Sequence, residues 1–134
     1  MKRIVLDASA VMTFFENRPG ADKVEELIHL GVAGKRQLLM SVVNWGEVYY
    51  STWRAHGPGV AHKIIEDISQ LPIEVVDANL DLTRAAAELR AGHKLPYTDC
   101  FAAALASHRK ASLATSDKDF SSVKKHLDIL WTSA

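Results

Sequence analysis

The chain is poor in several features that would place it in other classes. Its 134 residues contain one cysteine, Cys100. No intramolecular disulfide can form, and no cysteine-based zinc cluster can assemble. A reducing compartment fits, and the cytoplasm is the expected location. No apolar stretch approaches the ~20 residues that a helix needs to span a bilayer, so no membrane association is expected. Met1-Lys2-Arg3-Ile4-Val5-Leu6 carries charge and then apolar residues, but Asp7 interrupts the run too early for a signal-peptide core. An excess of charge is also missing, since 16 acidic and 16 basic side chains cancel to a formal zero. That removes the cheapest argument for nucleic-acid binding, a strongly basic balance, while leaving room for a basic rim around an acidic centre. The histidines at 29, 56, 62, 93, 108 and 126 are scattered, with no HExxH-type pair. They are expected mostly at the surface, and a histidine acid–base mechanism is not indicated. There is no internal repeat, low-complexity tract or linker, so residues 1–134 are expected to form one domain.

What is present is an alternation of strands and helices. Residues 3–7 form a short apolar run without polar alternation, as expected of a strand covered on both faces. Ala8 to Glu16 reads as a helix stopped by Asn17-Arg18-Pro19-Gly20. A second helix covers about Asp22 to Val32, with Gly31 and Gly34 marking its end. Residues 37–41 form the next strand. The helix that follows is capped by Ser41 or Asn44, carries Glu47 and ends near His56-Gly57-Pro58-Gly59. Val60 to Gln70 is helical, Ile73 to Asp77 a strand, and 79–91 an amphipathic helix ended by Gly92. A helix from about Thr98 to Arg109, a strand over Ser112 to Thr115, a turn over Ser116 to Phe120 and a strand over Asp128 to Trp131 complete the chain. Such alternation implies right-handed crossovers and a mostly parallel sheet. The expected fold is α/β, a three-layer α/β/α sandwich.

Asp7, Glu47, Asp99 and Asp117 are the residues that this architecture would gather. Asp7 and Asp117 each follow an apolar strand, and ligands of open parallel sheets bind outside the carboxyl ends of the strands. Each acid also has a plain structural reading. Asp7 is a favoured N-cap, and Glu47 is a good helix former. Asp99 in a first turn complements the helix dipole. Asp117 and Asp119 suit a turn, and for Asp119 that reading outweighs function. The joint pattern outweighs the separate ones. Several carboxylates cannot share a small space in ionised form without a compensating cation. Oxygen ligands suit Mg²⁺ or Mn²⁺. Gly46, just before Glu47, costs about 1 kcal/mol of helix propensity relative to Ala, which suggests a close approach to the backbone there.

At these residues the chain resembles the PIN-domain nucleases, and among them the toxins of VapBC-type toxin–antitoxin pairs. The resemblance runs through Ile4-Val5-Leu6-Asp7-Ala8-Ser9, Asn44-Trp45-Gly46-Glu47-Val48, Leu95-Pro96-Tyr97-Thr98-Asp99-Cys100-Phe101-Ala102-Ala103-Ala104-Leu105-Ala106 and Leu113-Ala114-Thr115-Ser116-Asp117-Lys118-Asp119-Phe120. Each motif is short, but their order and spacing together are fairly specific. The resemblance implies that Asp7, Glu47, Asp99 and Asp117 are the acidic quartet, with Ser9, Thr115 and Asp119 in support. It further implies Mg²⁺- or Mn²⁺-dependent endoribonuclease activity, inhibition by a small antitoxin protein, and a homodimer.

Those residues suit hydrolysis of RNA by a metal-activated water, leaving 5′-phosphate and 3′-hydroxyl ends. Asp7 and Asp99 are the best candidates for direct metal ligands. Asp117 and Glu47 would complete the shell or orient the water. Arg54, two helical turns after Glu47, is a candidate contact to RNA or to an antitoxin carboxylate. Trp45, Tyr49 and Trp53 form a stripe at helical spacing that reads first as core. Where exposed, an antitoxin helix or a second protomer would cover it, and Phe14 and Phe15 would serve the same groove. Cys100 reads as a small buried hydrophobe. A haloacid-dehalogenase-type phosphatase would need Asp where Ser9 stands. The other reading is a catalytically silent PIN-like module that binds RNA or protein. A third, a structural or regulatory protein acting at DNA, would depend on its partner for that contact.

Overall fold

The computed structural model describes residues 1–133. Five strands form one sheet: β1 (Lys2–Leu6), β2 (Arg36–Ser41), β3 (Ile73–Val76), β4 (Ser112–Thr115) and β5 (Ile129–Trp131). The order across the sheet is β3-β2-β1-β4-β5, and every pair is parallel. Six α-helices connect them: α1 (Ala8–Phe15), α2 (Ala21–Val32), α3 (Val42–His56), α4 (Pro58–Ser69), α5 (Leu80–Gly92) and α6 (Tyr97–Arg109). Alternate residues of each strand feed opposite faces. Ile4, Leu6, Leu38, Met40 and Ala114 pack with α1, α2, α3 and α4. Val5, Leu39 and Leu113 pack with α5 and α6. Helices on both faces make the α/β/α sandwich. Each buried Leu, Ile or Val contributes about 1.5–3 kcal/mol relative to exposure, so a two-sided sheet built of them is stable despite short strands.

Chain order reverses between β1 and β4, because α1 and α2 lead outward to β2 while β4 returns to the other side of β1. The carboxyl ends of β1 and β4 therefore flank the topological switch point, the edge at which ligands of open parallel sheets bind. Helix α6 lies over this region. Asp99 to Ala106 is buried without interruption, and its alanines let the helix backbone approach the sheet closely. Lys110, at φ 51°, closes α6.

Several local expectations change. The turn after β4 is a 3₁₀ helix over Lys118–Val123, nucleated when Asp117 accepts a hydrogen bond from the Asp119 N–H. Helix α4 begins at Pro58, whose fixed φ and missing N–H suit a first helical turn. Gly31 lies inside α2, and Gly34, at φ 73°, makes the turn out of it. Ser41, not Asn44, caps α3, accepting from the Val43 N–H at 3.2 Å. The close approach expected at Gly46 does not exist, since a Cβ there would meet nothing within 4 Å. No helix is long and apolar enough to cross a membrane among the described residues.

Candidate functional site

Asp7 follows β1 directly and caps α1, its Oδ1 accepting from the Ala10 N–H at 2.8 Å. The N-cap reading of this residue therefore holds, but capping occupies only part of the carboxylate. The Ser9 hydroxyl lies 2.8 Å from Oδ1, and the Thr115 hydroxyl donates to Oδ2 at 2.5 Å. The direction of these bonds follows from their neighbours. Ser116 N–H donates to Ser9 Oγ at 3.1 Å, and Asp117 N–H donates to Thr115 Oγ1 at 2.9 Å. Each hydroxyl oxygen accepts from one backbone N–H and lies nearer to Asp7 than the 3.2 Å that separates the two hydroxyls, so both hydrogens point at the carboxylate. The β4 edge thus orients the β1 carboxylate through two relays. Burial opposes its ionisation and outweighs these bonds, raising the Asp7 pKa from 3.8 to about 6.

Asp99 enters from the first turn of α6 and is buried. Burial is the largest cause of its raised pKa, from 3.8 to about 8. The Asp117 carboxyl, close enough to share a proton, and the charges of Asp7 and Glu47 push it further in the same direction. Glu47, in the middle of α3, is also raised by burial, with the Asn44 and Thr98 side chains opposing and Asp117 adding repulsion. Mutual repulsion thus links Asp7, Glu47, Asp99 and Asp117, which four separate segments bring to one end of the sheet.

Of the acids at this edge, Asp99 and Asp117, joined by Asp119 and without Asp7 or Glu47, form the group that fits a hard divalent cation. Glu47 Oε1 and Asp99 Oδ2 are buried with no hydrogen-bond partner among the described residues. A buried acceptor left unpaired is costly; a cation would satisfy Asp99 Oδ2, and a water held by that cation would satisfy Glu47 Oε1. Carboxylate oxygens of Asp99, Asp117 and Asp119 lie within 4.8 Å of one another. The donor set is all oxygen, as Mg²⁺ and Mn²⁺ prefer.

Two residues matter more in the structure than in the sequence reading. Asp119, given chiefly a turn role there, brings its carboxylate to Asp99 and Asp117 while remaining exposed. Asn44 is fully buried, and its Nδ2 donates to Thr98 O at 3.0 Å, tying α3 to the start of α6. Its spacing from Glu47, one helical turn, was the available signal. Arg54 lies elsewhere: it is exposed near the end of α3 beside Tyr50, Ser51 and Ala55. Seven residues at 1.5 Å rise put it about 10 Å along the axis from Glu47.

The aromatic stripe forms a ladder along α3. Trp45 and Tyr49 meet edge to face at 5.7 Å, Tyr49 and Trp53 at 5.9 Å, and His62 of α4 stacks near both Tyr49 and Trp53. Trp53 remains 46% exposed, so the ladder is not wholly core. A groove of about 400 Å³ lies between α1, α3 and α4, lined by Met12, Phe15, Val48, Thr52, Val60 and Ile64 among others, and none of the three ladder aromatics lines it. Five histidines are exposed and His93 is half-buried, and Cys100 is fully buried.

Several solved structures share this architecture. The DNA-bound VapBC complex of Salmonella typhimurium is similar at a TM-score of 0.73 and 17% identity, over 98% of this chain and 99% of that one. VapBC-1 of nontypeable Haemophilus influenzae gives 0.71 and 20%, over 97% and 98% of the two chains. VapC20 of Mycobacterium tuberculosis, a Sarcin-Ricin loop cleaving toxin, gives 0.69 and 18%, over 90% and 94%. At such identities the likeness concerns the fold. No curated protein matches by sequence. The PIN domain family model matches residues 4–126, which contain all the acidic residues described above. With that match over most of its length, the chain belongs to the PIN domain family.

Proposed function

We propose that this chain is a metal-dependent endoribonuclease, the toxin of a VapBC-type pair, formed by one PIN-like domain. The observation that carries the reading is the meeting of Asp7, Glu47, Asp99 and Asp117 at the switch point, with Glu47 Oε1 and Asp99 Oδ2 buried and unpaired. Asp7 and Asp99 would hold Mg²⁺ or Mn²⁺ directly, and Asp117, joined by Asp119, would complete the shell. When bound, the metal neutralises phosphate charge and acidifies a coordinated water. The chain's own part is orientation and proton transfer. Ser9 and Thr115 fix the Asp7 carboxylate, and Asn44 holds α3 to α6. Glu47 Oε1, the free carboxylate oxygen, accepts the proton of the attacking water. Water attacks phosphorus, the P–O3′ bond breaks, the leaving 3′ oxygen takes a proton from solvent, and the RNA 2′-hydroxyl takes no part. The products are 5′-phosphate and 3′-hydroxyl ends.

The solved relatives named as VapBC complexes support an antitoxin partner. The apolar groove between α1, α3 and α4 is the surface we assign to that partner. A homodimer and a cytoplasmic location complete the proposal.

The test is cleavage of a panel of cellular RNAs by protein freed of any partner, with Mg²⁺, with Mn²⁺ and with EDTA, beside Asp99→Asn. Cutting is expected with metal only and is expected to vanish in the variant. A 2′,3′-cyclic phosphate product would exclude this mechanism. A folded protein that cuts nothing would turn the reading to a silent binding module.

A further inference from the structure

Lys118 departs from the charge pattern around it. It stands between Asp117 and Asp119 in the sequence and close to Asp99 through them, so an ion pair would be the ordinary outcome. Among the described residues it forms none. Its Nζ stands instead over the Trp131 ring, 4.6 Å from the centroid. Trp131 ends β5 and pairs in register with Thr115, the residue whose hydroxyl holds Asp7. The ring therefore keeps the ammonium at the carboxyl edge of the sheet, one strand spacing of about 4.8 Å beyond β4. An aromatic face attracts a cation without neutralising it, so the positive charge stays available to an incoming anion.

A polyanion approaching the acidic centre meets repulsion from several carboxylates. A bound metal would offset this at the scissile phosphate, but neighbouring phosphates would need another cation. We propose that Lys118, held by Trp131, binds an RNA backbone phosphate on the β5 side of the acidic centre and so sets how the strand lies across it. This rests on the nuclease reading and names a substrate contact for it. As a point charge, Lys118 would contribute affinity without sequence preference.

The experiment measures binding of a fluorescein-labelled RNA hairpin by anisotropy over a range of KCl, in an Asp99→Asn background that does not cut. Lys118→Gln is expected to weaken binding about 3- to 10-fold and to lower the slope of log affinity against log salt by about one. Lys118→Arg is expected to restore both. Lys63→Gln removes the same charge from α4, where Lys63 pairs with Asp67 at 2.9 Å, and is expected to change neither. In the cleaving protein, Lys118→Gln is expected to raise KM severalfold with kcat held within about twofold. Unchanged affinity and slope in Lys118→Gln, or an equal loss in Lys63→Gln, would overturn the proposal. Failure of the nuclease reading is visible separately, as absence of metal-dependent cutting by the unmodified chain.

Discussion

Thr115 carries no charge and no nucleophile fit for the reaction, yet it joins two of the acids. Its hydroxyl donates to Asp7 Oδ2 and accepts from the Asp117 N–H. Thr115→Val keeps the shape and removes both bonds. The part-buried Asp117 N–H then lacks its protein partner, which is expected to cost about 1 kcal/mol in urea unfolding. Asp7 also loses a bond that favours its ionised form. Metal affinity is therefore expected to fall about 10- to 100-fold, the usual range for a lost supporting contact. A Mn²⁺ titration checks this, and unchanged affinity with reduced stability would limit Thr115 to a structural role. At this scale the sequence was informative but incomplete. Ser9 and Thr115 stood beside the acids, so support was legible, whereas Asn44 acts through Thr98, 54 positions away. A contact of that range is set by how α3 crosses α6, which no local pattern encodes.

Among the elements, two glycines respond to the same substitution in opposite ways. Gly46 lies inside α3 with open space around a future Cβ. Gly46→Ala is expected to stabilise the protein by about 0.5–1 kcal/mol through helix propensity, leaving metal binding unchanged. Gly20 sits before α2 at φ 99°, and a Cβ there would clash with Thr132 O. Gly20→Ala is expected to cost more than about 2 kcal/mol, because the backbone is strained and the start of α2 is forced away from the chain after β5. Thermal or urea melts of both variants decide the matter; a destabilised Gly46→Ala would restore the close approach that its sequence position suggested. The strands, by contrast, were legible to within a residue or two, because buried parallel strands are continuous apolar runs. The 3₁₀ helix after β4 was not, since its sequence of Asp, Lys and Ser residues suits a turn equally well.

The whole molecule gathers like charges, and stability should record that. Asp7 at about 6 and Asp99 at about 8 both sit above the ordinary carboxylate value of 3.8. A carboxyl raised on folding favours the folded state below the unfolded pKa, and that contribution is lost as pH rises through the folded pKa. Without metal, the melting temperature is therefore expected to fall between about pH 5 and pH 8.5, on the alkaline side of these groups' unfolded values. Asp99→Asn is expected to flatten the fall. Mn²⁺ is expected to raise the melting temperature at about pH 8 and little at about pH 5, since bound metal replaces protons. A metal-free melting temperature that rises over this range, or one unaffected by Asp99→Asn, would contradict the electrostatic account. The apolar grooves belong to this scale as well, because a surface between α1, α3 and α4 exists only after the helices pack.

The sequence by itself determined the α/β class, the order of the elements, and the four acids that follow or flank the strands. Those properties are local, written in apolar runs, caps and breakers. Tertiary structure alone decided that the chain order reverses between β1 and β4, that Asp119 reaches the acids, that Asn44 ties two helices, and that Lys118 turns to Trp131 rather than to its acidic neighbours. Each of these depends on residues far apart in sequence meeting at one edge of the sheet. Crossover geometry and packing set such meetings, and a linear pattern does not contain them.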